Sequence, residues 1–385
     1  MSDYQKTVAI VSKCSPRRAG GGLGVAYNLF RGIDSIRSAP YSIMGVWGKK
    51  SICVEEGKWS AAIKSDESSP QEPRIKTLPA QISILNSHRA LLGGIIAMTP
   101  FYAWPAVPGP HAGVKRIHVE QSKGGRHHEL CKEQGRFGIR EFAVAMAVQL
   151  NFRMVDAVIF PSAGALELFR TRNPNWEGMV LSKAVVIPNG IDLESHPVVR
   201  KSRSEVLRIV SIADHIPEKG LQTLVEEAAK AKNAGVAFTI DQYGNPGKCT
   251  DTIQQAVSVL GLKSVIRFHG RKSHAEIITA LRQADIFLHT PEVAVFDQSI
   301  IEAMLCGALV VSVNLPGIIE AVGQEYPYLT SSQVGVSDLL KTVWLDRIQS
   351  GKIAEQARSR AEQLFSAKTM AERYLKLFQD EPGSR

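Results

Sequence analysis

A chain of 385 residues, 44% hydrophobic and 22% charged, is too long for one ordinary core and suits two domains of the usual size. Its five cysteines (Cys14, Cys53, Cys131, Cys249 and Cys306) are odd in number and lack CxxC pairing, which fits free thiols in a reducing cytoplasm and argues against a disulfide framework or zinc site. The net charge of +9 belongs to the first half: residues 1–198 hold 24 Lys and Arg against 16 Asp and Glu, while residues 199–385 hold 22 against 21. A basic half favours an anionic partner such as phospholipid or lipid phosphate, or is simply a solvated surface. No basic stretch is interleaved with aromatics, so nucleic acid is not expected.

In chain order, residues 7–12 form a short apolar run that reads as a buried strand rather than the core of a secretory signal. A glycine cluster, Gly20 to Gly24, follows, and then a helical pattern over 25–32. Strand, glycine loop and helix in that order open a Rossmann-like layer. Further strands are expected at 41–47, 117–119, 157–160 and 184–187, with a long helix over 137–154. The apolar stretch 90–107 is broken by Gly93, Gly94, Pro100 and Pro105, which rules it out as a membrane-spanning helix. Residues 193–205 are polar and rich in breakers, and read as a linker. Beyond it the alternation is regular. Strands are expected at 207–212, 237–242, 265–268, 286–289 and 308–313, and helices at 221–234, 252–260, 274–284 and 299–306. Alternating strands and helices predict a parallel sheet covered on both faces. The tail, 353–378, reads as helices interrupted near Phe365-Ser366.

Two such layers aim the loops after their strands into a cleft, where ligands of open α/β sheets sit. The glycine cluster would let the backbone approach an anion at a helix N-terminus, or would serve packing alone. No G-x-S-x-G elbow and no G-x-x-x-x-G-K-[ST] loop occurs, so hydrolase and nucleoside triphosphatase chemistry have no support. His127 and His128 beside Glu129 suggest either a metal or a solvated helix start.

Several segments, in order, resemble the retaining glycosyltransferases of family four: Pro188-Asn189-Gly190-Ile191-Asp192, Pro217-Glu218-Lys219-Gly220, Phe268-His269-Gly270, Glu302-Ala303-Met304 with Cys306-Gly307, and Phe365-Ser366 before Met370 to Leu375. The resemblance covers nearly the whole chain and is densest after residue 155. It implies an α/β GT-B fold of two Rossmann-like domains facing a central cleft. The expected domains are 1–198 on the acceptor side and 199–365 on the nucleotide-sugar side, with a C-terminal helix, 366–385, packing back toward the first. The implied activity is that of a retaining hexosyltransferase moving a sugar from a nucleotide sugar, UDP- or GDP-linked, to a glycan or lipid-linked acceptor in polysaccharide or glycoconjugate synthesis. No cofactor and no metal are implied beyond that co-substrate, and no Asp-x-Asp occurs.

Residue by residue, the resemblance gives Glu302 the ribose hydroxyls, Lys219 the leaving diphosphate, and His118 a hydrogen bond to the donor sugar. The rest of the donor grip would fall to Gly22, Gly24, His269, Gly270, Phe296, Asp297, Gln298, Ser299 and Ile300. Two positions depart from the pattern. Ala294 stands where the family carries a sugar-binding acid, eight residues before Glu302, and Asp214 stands where it carries an arginine. An acid beside a diphosphate is repulsive, so Asp214 must point away, hold a cation or mark altered chemistry. A catalytically silent binding protein, and another GT-B reaction such as epimerisation or phosphorolysis, are the competing readings. Localisation is expected to be cytoplasmic, with peripheral contact to an anionic membrane through Phe101, Tyr102 and Trp104 near Lys115 and Arg116, or else those aromatics pack on their own core.

Overall fold

The computed structural model describes residues 6–12, 22–36, 41–47, 50–53, 74–88, 90–98, 114–122, 124–125, 138–196, 204–332 and 335–379. The chain divides into two compact units, Met1–Asp192 with Ser366–Arg385, and Leu193–Phe365.

The first unit holds strands β1 (Thr7–Ser12), β2 (Ser42–Trp47), β3 (Lys50–Cys53), β4 (Leu92–Ala97), β5 (Lys115–Val119), β6 (Ala157–Phe160) and β7 (Ala184–Val186) in the order β3-β2-β1-β4-β5-β6-β7. All neighbours run parallel except β3, which pairs antiparallel with β2 at the edge. Strands β1, β4 and β6 are buried on both faces, as continuous apolar runs demand. Helices α1 (Gly22–Asp34), α2 (Arg74–Ser87), α3 (Ile139–Met154), α4 (Ala163–Arg172) and α5 (Glu177–Leu181) accompany them. Strand β4 lies inside the stretch that the sequence marked only as apolar. Helix α2 carries Pro79 in its interior, which masks its helical pattern.

The last helix of the chain, Ala367–Gln379, belongs to this unit. Its buried residues Met370, Ala371, Tyr374 and Leu375 join Val25, Leu29 and Ile33 of α1 in one core. Glycines make the seat. A Cβ on Gly32 would strike the Ala367 carbonyl, one on Gly94 would strike the Phe378 ring, and one on Gly190 would lie 2.5 Å from the Ser366 oxygen. A bond from Ala367 N to Ile191 O at 2.8 Å fixes the register of the entering chain.

Helix α3 is apolar on both sides. Val148 and Phe152 are buried, yet Ile139 (90% exposed), Phe142 (57%), Met146 (49%), Leu150 (40%) and Met154 (36%) form an open row at helical spacing. No helix among the described residues is long and apolar enough to cross a membrane.

The second unit is a six-stranded, wholly parallel sheet in the order β10-β9-β8-β11-β12-β13. Its strands are β8 (Leu207–Ile212), β9 (Phe238–Tyr243), β10 (Ile266–Phe268), β11 (Ile286–His289), β12 (Leu309–Val313) and β13 (Leu329–Thr330). Its helices are α6 (Leu221–Asn233), α7 (Thr250–Val259), α8 (His274–Gln283), α9 (Gln298–Leu305), α10 (Pro316–Val322), α11 (Val336–Leu345) and α12 (Arg347–Leu364), so Ala367–Gln379 is α13.

One buried carboxylate ties helices of this unit together. Glu227 on α6, 1% exposed, accepts from Lys230 Nζ at 2.6 Å and from the Gly335 and Ser337 amides at 3.0 Å, at the start of α11. Burial pushes its carboxyl up, but Lys230 and the two amides together outweigh burial and hold it below the usual carboxylate range. Glu227→Gln should lower the stability of this unit by about 2–3 kcal/mol near neutral pH, read from urea unfolding. A depressed folded pKa contributes stability above the unfolded value and loses it as pH falls through the folded one. The gap between wild type and variant should therefore narrow below about pH 4.

Candidate functional site

In an open parallel sheet, a crevice forms where two neighbouring strands send their crossovers in opposite directions. In the second unit those strands are β8 and β11, which pair directly while β9 flanks the other side of β8. The loops that follow them, 213–220 and 290–297, carry Lys219, Phe296 and Asp297 together with Asp214 and Ala294, and Gln298 to Glu302 follow on α9.

The first loop is built on polar contacts to the neighbouring turn. Asp214 Oδ1 accepts from Asn245 N at 2.7 Å and from Asn245 Nδ2 at 2.9 Å. Asp214 is thus neutralised by amide donors and is committed to the turn after β9. Beside it, buried His215 bonds Gln242 Oε1 at 2.9 Å and Thr250 Oγ1 at 3.1 Å. The chain then makes one 3-10 turn, Pro217–Lys219, and enters α6 through Gly220, whose φ of 62° is left-handed and suits glycine. Lys219 is half-buried, and its ammonium pairs with no described residue.

The second loop is tied to the first. Thr290 Oγ1 donates to Gly220 O at 3.0 Å, and Glu292 N donates to Glu218 O at 3.1 Å. Asp297 occupies the N-cap position of α9, yet its side chain does not cap the helix. Its Oδ2 lies 2.6 Å from Nε2 of His289, a 1% exposed residue whose carbonyl accepts from Ser312 Oγ at 2.6 Å. Gln298 and Ser299 are half-buried at the head of α9, and Gln298 Nε2 is a buried atom without a hydrogen-bond partner. Phe296 and Ile300 face inward, at 6% and 0% exposure, with Phe296 edge-on to Phe365 at 5.4 Å. Their side chains are core, so only their backbone could serve a donor, and the Ile300 amide already donates to Asp297 O at 3.1 Å.

Glu302 projects from the second turn of α9. Its Oε1 lies 2.8 Å from Nε2 of His274, with side-chain exposures of 14% and 22%. His274 opens α8 directly after Ser273, which forms a reciprocal capping box with Glu276. Four residues earlier, Gly270 has a φ of 64° and accepts from Gly244 N at 3.1 Å. His269 stacks on Tyr243 at 4.7 Å and places Nε2 2.7 Å from Asp241 Oδ1. Its ring is engaged within the protein. At the far side, α10 presses on the second loop: a Cβ on Gly317 would strike the Val295 carbonyl and lie 3.2 Å from Ala294 O.

The expected contributions of the first unit do not join this picture. His118 is completely buried, edge-on to Phe152 at 5.4 Å and 3.5 Å from Glu120 Oε2, so it is a core histidine and no sugar reaches it as placed. Burial raises the Glu120 carboxyl, but hydrogen bonds from His118 and Ser122 outweigh burial and hold it below its usual range. Gly22 and Gly24 lie in the first turn of α1, which starts three residues before the expected Val25. Gly20, Gly21, His127, His128 and Glu129 lie outside the described residues, as do Phe101, Tyr102 and Trp104. Among the described residues no group of three or more His, Cys, Asp or Glu could hold a metal ion. Sequence reasoning missed His274 and His289. The Ser273-x-x-Glu276 box was the available signal for the first, while nothing local marks the second.

Residues 194–360 match the family model of the glycosyl transferases group 1. That match falls within the second unit. The phosphatidylinositol N-acetylglucosaminyltransferase GPI3 subunit of Saccharomyces cerevisiae is 27% identical over 163 residues, 40% of this chain and 36% of the yeast protein. The match therefore spans about a third of that relative. The N,N'-diacetylbacillosaminyl-diphospho-undecaprenol alpha-1,3-N-acetylgalactosaminyltransferase of Campylobacter jejuni is 24% identical over 256 residues, 62% of this chain and 64% of its own. Among solved structures, Anabaena Alr3699/HepE in complex with UDP and glucose matches with a TM-score of 0.69 at 16% identity, over 97% of this chain and 99% of that one. At that identity the likeness shows the fold, which is GT-B.

Within the matched region the contact of α10 with the second loop is testable. Gly317→Ala should cost about 1–3 kcal/mol in urea unfolding by forcing the Val295 carbonyl away. Gly351→Ala, where a Cβ meets nothing within 4 Å, should be neutral or slightly stabilising.

Proposed function

We propose that the protein is a retaining glycosyltransferase that moves a sugar from a nucleotide-diphosphate sugar, UDP- or GDP-linked, to a glycan or lipid-linked acceptor. One observation carries the reading: Lys219 and Glu302 stand on elements that the tied β8 and β11 loops hold at the switch point. The Lys219 ammonium would balance the diphosphate as it leaves. The first amides of α9, which Asp297 does not cap, would face the same charge. Glu302 would accept the ribose hydroxyls. In the transfer the acceptor oxygen bonds the anomeric carbon on the face from which the phosphate departs. The bond from that carbon to the phosphate oxygen breaks, and the acceptor proton passes to that oxygen. The yeast and Campylobacter relatives, a phosphatidylinositol and a diphospho-undecaprenol glycosyltransferase by name, support a lipid-linked acceptor.

The test is a thermal-shift panel of UDP, GDP, ADP and their common sugars, because a ligand that binds the native state raises its apparent stability. At least one should raise the midpoint, and Lys219→Ala and Glu302→Ala should each weaken its binding about tenfold or more, roughly 1.4 kcal/mol. Failure of every nucleotide to bind overturns the reading. Binding without transfer to any acceptor supports the silent protein that Ala294 suggests.

The open row on α3 favours a second, compatible reading, contact with an anionic lipid surface. The row is about 22 Å long, so one helix face offers far less than the roughly 800 Å² per partner of a stable protein pair. Exposed Arg153 lies three residues after Leu150 at its end, in a half of the chain with eight more cations than anions (24 against 16). Vesicles containing phosphatidylglycerol should float the protein at low salt and release it at high salt. Phe142→Asp with Met146→Asp should abolish flotation. Equal behaviour of wild type and variant excludes the lipid contact, and sedimentation as a dimer that the variant loses would assign the row to a second copy.

A further inference from the structure

A carboxylate that must take both hydroxyls of a ribose needs a fixed plane, because each hydroxyl asks for its own lone pair in its own direction. Nothing on α9 supplies this for Glu302. The residue projects from the second turn between buried Ile301 and Ala303, and its terminal torsion is soft. What fixes it comes from another helix. His274 Nε2 stands 2.8 Å from Oε1, and since a carboxylate only accepts, the imidazole must donate at that nitrogen.

His274 is itself held from several sides. The capping box of Ser273 and Glu276 sets the start of α8 on which it sits, with Ser273 N bonded to Glu276 Oε2 at 2.9 Å. Its ring meets that of His196 edge-on, at 6.4 Å and 78°. His196 is 2% exposed, and its carbonyl accepts from Arg358 Nη2 at 3.1 Å. Arg358 also donates to the Leu305 carbonyl at the end of α9. One arginine therefore bonds both the end of the helix that carries Glu302 and the backbone of the histidine against which His274 packs. His274 also follows Gly270 by only four residues, so the turn on the expected base side and the histidine that bonds the ribose carboxylate share one short segment.

We infer that His274 is a positioning residue for the donor nucleotide: it locks the plane of Glu302 through Oε1 and thereby sets discrimination between ribose and deoxyribose. The inference rests on the nucleotide-binding reading above. It differs from a packing role in its consequence. A histidine that only fills space affects all nucleotides alike, whereas one that orients Glu302 affects only ligands that carry the hydroxyls.

Calorimetric titration of the full chain with UDP and 2′-deoxy-UDP, and with GDP and 2′-deoxy-GDP in parallel, reads the effect. Wild type should prefer the ribose form about tenfold or more. His274→Phe keeps a ring against His196 but removes the donor, and should bring the preference within about threefold, with 2′-deoxy affinity falling less than ribose affinity because those ligands keep only the 3′-hydroxyl. His274→Gln, whose amide can donate to Glu302, should restore part of the preference. Thermal midpoints of both variants show that each is folded. Undiminished ribose preference in His274→Phe overturns the role of His274 and leaves nucleotide binding standing. Absence of binding by any of the four ligands to wild type overturns the nucleotide reading and this inference with it.

Discussion

The direct pairing of β8 with β11 is the constraint on which the candidate site depends. Parallel strands cannot be joined by a short turn, so each chain must leave over a face of the sheet, and here the two departures diverge. The exposed ends of the loops would drift apart without cross-links. Two bonds prevent this, from the Thr290 hydroxyl to Gly220 O and from the Glu292 amide to Glu218 O. Through them the turn that carries Lys219 and the helix that carries Glu302 behave as one surface. Packing of α10 on the Val295 carbonyl, possible only because Gly317 lacks a side chain, presses that surface from behind.

Three aspartates near the proposed anion site are each bonded within the protein. Asp214 is satisfied by Asn245, Asp297 by His289, and Asp241 by His269 and Arg267. Each partner supplies a donor at hydrogen-bond distance, so the negative field is compensated locally. Lys219 differs in keeping its ammonium clear of all described residues. That contrast, more than the count of charges, is what the proposed diphosphate site rests on.

Much of the second unit was legible because its signals are local. Continuous apolar runs gave five of the parallel strands, β8 to β12, with ends within one residue, while the two-residue β13 left no such run. The first unit was harder to read. The apolar run holding β4 continues into a proline-rich stretch, Pro79 sits inside α2, and the edge strand β3 is four residues long. Site residues divided along the same line. Lys219 and Glu302 stand in compact motifs that can be read locally. The partners His274 and His289 meet Glu302 and Asp297 only after folding, across separations of 28 and 8 residues. His118 shows the converse: a polar residue at a strand end looked available, but Phe152 on α3 covers it.

The seat that Gly32, Gly94 and Gly190 make for α13 has a consequence for the order in which the protein is built. The second unit is one continuous stretch, whereas the first is interrupted by it and resumes at Ser366. During synthesis the second unit can therefore complete its core while the first still waits for its last helix. Until Met370, Tyr374 and Leu375 emerge, the apolar side of α1 around Val25, Leu29 and Ile33 has no cover. The first unit, begun before the second, then closes after it, and its open core must be sheltered from aggregation until α13 emerges.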